Sequence, residues 1–146
     1  MLNITIAKEL VVKSDEQQMQ TPSATTQNIE EDQWIKFLDE FTRQNRGAHA
    51  RLEILGPDVG SQLEAENRPF GGISADTKAG EHNVSITFGS SAEDHLERGI
   101  QNVTGIWLRP ATGHAGPTLE VLSRDGTRAL LELSRADAYA LPFSAL

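Results

Sequence analysis

The chain contains no cysteine, which excludes disulfides, thiol catalysis and thiolate zinc sites and fits a reducing cytoplasm. Cationic side chains are also scarce. Thirteen Lys and Arg face 21 Asp and Glu, a formal net charge of −8, so a phosphate backbone is repelled unless the basic residues gather on one face. Nucleic acid is therefore disfavoured as a partner; that reading rests only on Arg43, Arg46, Arg51 and Arg68 forming such a face. No apolar run approaches the roughly 18 residues of a membrane span, and the N-terminal MLNITIAKELVVK lacks the basic n-region and apolar core of a signal peptide. The expectation is a cytoplasmic protein with no membrane contact.

The motifs that carry chemistry are missing as well. No GxSxG elbow surrounds a serine, and Gly71-Gly72 belongs to neither a GxGxxG nor a GxxxxGK[ST] phosphate loop. The four histidines, His49, His82, His95 and His114, form no recognisable metal pair. Glu93-Asp94-His95-Leu96-Glu97 is the nearest approach to a cation site, and a solvated acidic loop explains it more simply. Glu30, Glu31 and Asp32 read as partners of a helix dipole rather than as an acid–base pair. No catalytic residue, cofactor-binding residue, metal ligand or cofactor is expected.

What is present is one clear helix followed by strands. In NIEEDQWIKFLDEFTRQNRG, Asn28 to Gly47, the residues Trp34, Phe37, Leu38 and Phe41 fall at i, i+3, i+4 and i+7, one apolar stripe at helical period. Asn28 stands where an N-cap belongs, with Glu31 three residues on as in a capping box. Arg43 and Arg46 suit the negative end of the dipole, Asp39 can pair with Arg43, and Gly47 is a natural left-handed stop.

After the helix the period changes from 3.6 to 2. AHARLEIL turns Ala50, Leu52 and Ile54 one way, and Gly60 to Glu66 is expected to put Leu63 and Ala65 inward. Asn67-Arg68-Pro69 should interrupt pairing, because proline has no amide donor for a ladder. The glycines in Phe70-Gly71-Gly72-Ile73 permit a bulge, with Phe70 and Ile73 anchoring it. Val84, Ile86 and Phe88 alternate cleanly, Leu96 to Ile100 suits a solvent-edge strand, and Val103 to Leu108 forms another. TLEVLS and TRALLELS flank Arg124-Asp125-Gly126, a strong hairpin signal. The count is about six or seven short, mostly antiparallel strands. The fold class is α+β: an N-terminal amphipathic helix packed on a small, strongly bent antiparallel barrel or rolled sheet.

The 146 residues suit one domain at 28–134, with a flexible arm or linker at 1–27 and a tail at 135–146 that either folds back over an open barrel end or frays. Met19 opens a compact alternative reading in which the first 18 residues are an upstream extension.

WIKFLDEFTRQNRG, then ARLEILGPDVGSQLEAENRPFGGISADTKAG, NVSITFG, the Val103 to Leu108 strand and the TLEVLSRDGT hairpin resemble the bacterial domain-of-unknown-function family DUF5335. This resemblance covers roughly two-thirds of the chain and implies a domain extent, with no catalytic residue to carry over. A weaker likeness to Sm-like and SH3-like small barrels is one of layout alone.

Trp107 lies between Ile106 and Leu108, so either it or its neighbours must face out of a one-sided sheet. Core is the preferred placement; if exposed, with Phe70 nearby, it makes a partner-binding patch. The functional expectation is a non-catalytic protein-interaction module that binds another protein or itself. The alternative is a small-molecule binder or enzyme with a site near Phe70 to Asp76, using side chains such as Asp76, Glu64 and His82.

Overall fold

The computed structural model describes residues 25–134 except Val59 and His114. The expectations for the N-terminal arm, the Met19 start and the C-terminal tail fall outside those residues, apart from 25–27 at the arm's end. Strand β1 (Gln27–Asn28) leads through a 3-10 turn, Glu31–Gln33, into helix α1 (Trp34–Asn45). Seven strands follow: β2 (His49–Gly56), β3 (Gly60–Asp76), β4 (Asn83–Phe88), β5 (Leu96–Ile100), β6 (Val103–Arg109), β7 (Thr118–Ser123) and β8 (Arg128–Ser134). All pairings are antiparallel, in the order β1-β6-β7-β8-β2-β3-β4-β5, so the sheet is open rather than closed on itself. The described residues thus form an antiparallel sheet with one short helix.

The helix begins later than expected. Asn28 is not a cap: it pairs with Trp107 in β1, and Ile29 donates its amide to the Ile106 carbonyl. The strand therefore takes the residue that a capping box would have used. The indole of Trp34 then bonds the Ile29 carbonyl at 3.0 Å, fastening the first turn of α1 to the end of β1. Trp34, Leu38 and Phe41 are buried as the stripe requires, whereas Phe37 is only partly buried against the core and stacks on Phe41 at 6.0 Å. Arg43 pairs with Glu40 rather than with Asp39. Gly47, at φ +91°, ends the helix in the left-handed region that a residue without a Cβ enters at low cost.

Strand β3 runs unbroken for 17 residues. Contrary to expectation, pairing is not interrupted at Arg68-Pro69: Arg68 and Pro69 still lie opposite Ala50 and His49 of β2, and pairing with β4 begins at Phe70. Asn67 takes φ +56° just before, and Pro69 offers its carbonyl to Gly89, a role that needs no amide donor. The bulge at the paired glycines forms as expected, with the register shifting between Phe70 and Gly72. A Cβ on Gly72 would stand 3.2 Å from Thr42 of α1, so the glycine permits the helix to approach the strand. There the Thr42 hydroxyl both accepts from the Ile73 amide and donates to its carbonyl, each at 3.0 Å.

A second irregularity overturns one expectation. Between β2 and β3 the register shifts around Leu52, so that Ala65 lies opposite Leu52 while Leu63 lies opposite Glu53. The extra residue, Glu64, reverses the alternation. Ala65 remains in the core and Leu63 is turned outward, 48% exposed. The other alternations hold: Ala50, Leu52, Ile54, Val84, Ile86, Phe88, Leu119, Val121, Ala129, Leu131 and Leu133 are buried in one cluster with the helix stripe.

Candidate functional site

The inner face of the sheet is occupied by the core, so the sites to consider are its outer face, its edges and its loops. Five strands, β6-β7-β8-β2-β3, present a continuous outer surface whose registers can be read row by row. One row runs Gly105, Leu122, Arg128, Leu55, Ser61. The next runs Trp107, Glu120, Leu130, Glu53, Leu63. A third runs Arg109, Thr118, Glu132, Arg51.

In the first two rows each strand supplies one apolar side chain: Trp107, Leu122, Leu130, Leu55 and Leu63 in turn. They zigzag across the sheet as a belt, with Gly105 and the polar residues Glu120, Arg128, Glu53 and Ser61 at the alternate places. None belongs to the buried core cluster. Trp107 is half-buried and leans over Gly105, where an added Cβ would meet its ring at 2.4 Å. The glycine is thus the seat of the indole, and Ile106 beside it takes the core position with no exposed surface. Trp107 therefore lies on the outer face, against the preference for core.

The polar alternates are satisfied within the face. Arg128 lies 3.5 Å from Glu120, and Arg51 lies 3.3 Å from Glu53 and 3.4 Å from Glu132. Glu53 also accepts a hydrogen bond from the Ser61 hydroxyl, which, with the Arg51 guanidinium, holds its carboxyl below the ordinary value. The Arg51 guanidinium is in turn raised, first by its bond to Glu53 and then by the charge of Glu132. Beside the third row lies an open groove of about 1370 Å³, lined by His49, Arg51, Glu66, Arg109, Thr118 and Glu132 among others.

Phe70, the other half of the expected patch, is 1% exposed. It packs edge-on against Phe41 at 5.9 Å and joins the core through β3, so it does not share a surface with Trp107. Asp76, Glu64 and His82 are not brought together: Asp76 caps the Lys78 amide, Glu64 faces Arg98 at 3.6 Å, and His82 bonds Glu31 at 2.5 Å. The four arginines of the nucleic-acid reading are each engaged: Arg43 with Glu40, Arg46 with the Gly71 carbonyl, Arg51 with Glu53 and Glu132, and Arg68 with Asp94. Around the acidic loop, Asp94 is held by Arg68 and Glu97 by the Ser85 hydroxyl. Among the described residues, no group of three or more His, Asp or Glu is placed to hold a metal ion. No helix of the described residues is long and apolar enough to cross a membrane.

The family model for a family of unknown function, DUF5335, matches residues 25–141. The chain belongs to the DUF5335 family. The match starts beside β1 and takes in every strand of the sheet, so the belt lies wholly within the DUF5335 region. An uncharacterised protein of the bacterium Aquifex aeolicus (strain VF5) is 28% identical over 111 residues, 76% of this chain and 94% of the relative. No solved structure matches significantly. DUF5335 is a family of unknown function and the Aquifex relative is uncharacterised, so neither brings an activity with it.

Sequence reasoning singled out Trp107 and missed Leu55, Leu122 and Leu130. The signal was present in apolar doublets within strands: Ile54-Leu55, Val121-Leu122, Leu130-Leu131. At period 2, one member of each must leave the core face.

Proposed function

We propose that this protein is a non-catalytic protein-interaction module that docks its partner on the apolar belt of the outer sheet face. The observation that carries this reading is the belt itself: five apolar side chains, one from each of five adjacent strands, on a face against which α1 does not pack. A contiguous apolar strip with charged residues around it has the anatomy of a binding surface, an apolar centre with a polar rim. Trp107 and the leucines supply contact area, while the ion pairs at Glu120, Glu53 and Glu132 keep the face soluble when it is uncovered. The scaffold in this reading is a rolled sheet, with β3 bending between its halves and α1 closing the inside, and the domain acts in the cytoplasm, a reading that its lack of cysteine supports.

Placing a photo-cross-linking amino acid at Leu130 and, as a control, at Ile35, which is 50% exposed on the helix, tests the reading in cells. An adduct at Leu130 and none at Ile35 is expected. Equal labelling at both positions, or none at either, contradicts docking on the belt.

A further inference from the structure

We infer that the partner on the belt is a second copy of this chain, packed face to face; the inference rests on the docking reading above. Charge selects the occupant. Two chains of formal net charge −8 repel each other over most of their surface. The belt face and its groove carry three arginines, Arg51, Arg109 and Arg128, against four glutamates, Glu53, Glu66, Glu120 and Glu132, a balance of −1. Here, then, two copies meet at little electrostatic cost. Most of these charges are already paired within the face, so a partner of opposite sign is not needed to neutralise them.

Area points the same way. Five strands about 4.8 Å apart and about six residues deep at ~3.3 Å each make a face of roughly 24 by 20 Å. Two such faces bury about 1,000 Å², the size of a weak, reversible interface rather than of an obligate one. The checkerboard is also suited to self-packing, since each protrusion of Trp107 or a leucine stands beside a polar place at the same level of the sheet.

Edge-to-edge association through β5, which among the described residues pairs only with β4, is disfavoured by charge as well. A two-fold axis normal to the sheet puts opposite one another residues whose numbers sum to an even value. Of the three central registers of Leu96–Ile100, two set Arg98 against Arg98 or Glu97 against Glu97, and the third, centred on Gly99, leaves that glycine without a side chain to pack. The homodimer is therefore assigned to the face rather than to the β5 edge.

Sedimentation of the full chain over a hundredfold concentration range tests this. A reversible monomer–dimer equilibrium is expected, with association weakened at least tenfold by Leu130→Lys or by Leu63→Lys, each on the outer face, while Glu97→Lys on β5 leaves it unchanged. Circular dichroism confirms that the variants fold. A monomer throughout the range, or a dimer indifferent to both belt variants, overturns the inference. If the chain is monomeric while the Leu130 cross-linker captures a different protein, the self-association fails and the docking reading stands. If neither occurs, both fail.

Discussion

Trp34 joins two functions in one side chain: it fills the core at 2% exposure and its indole N–H ties α1 to the Ile29 carbonyl. Trp34→Ala should cost roughly 3–5 kcal/mol, the range for removing a buried aromatic. Phe37→Ala should cost distinctly less, because Phe37 only flanks the core. Denaturant melts of the two variants check the order, and an equal loss would mean that the helix stripe is buried evenly. Helical period made the stripe legible in sequence. Period alone could not separate Phe37 from its neighbours, since that depends on what the sheet places opposite it. Gly105 makes a parallel case on the outer face. Gly105→Ala should lift the Trp107 indole, because the new Cβ would stand 2.4 Å from the ring. Greater quenching of Trp107 emission by iodide in that variant is the expected result.

At the scale of elements, the departures from the sequence reading come from a bulge and from long-range pairing. Leu63 was expected inward on simple alternation, and a single inserted residue, Glu64, reversed it. Strands without an insertion, such as Asn83–Phe88 and the hairpin around Asp125-Gly126, were legible directly, since nothing disturbs their period. The β1 strand was hidden because Asn28 carries a cap signal as strong as any for a strand, and pairing with Trp107 is a long-range event. The junction of helix and sheet rests on Thr42, whose hydroxyl makes two hydrogen bonds to Ile73. Thr42→Val should cost about 1–3 kcal/mol by leaving the Ile73 amide without its acceptor, and chemical denaturation measures it.

The outer face and its hairpin turn respond to acid as well. Asp125 is held below its ordinary value of 3.8 chiefly by the Thr127 amide. Glu53 is held below 4.5 chiefly by Ser61. Each carboxyl is more acidic folded than unfolded, so its contribution to stability is full above the ordinary value and is lost as pH falls through the folded one. Thermal melts between pH 6 and pH 3 should therefore show stability falling at the acid end. Asp125→Asn and Glu53→Gln should each flatten that fall.

On the scale of the whole molecule, the sheet divides its residues between a buried inner face shared with α1 and an outer face with a belt of Trp107 and four leucines. The inner face was legible because a core imposes period on every strand that lines it. The belt was only partly legible, as doublets, because joining one apolar residue from each strand requires the registers. With Trp34→Phe, Trp107 becomes the sole tryptophan of the chain, since there are two in all. Its emission then reports directly whether the belt is covered. A belt covered by a second copy moves the emission to shorter wavelength as protein concentration rises, and Leu130→Lys removes the shift. Emission that stays unchanged from dilute to concentrated protein would contradict that coverage.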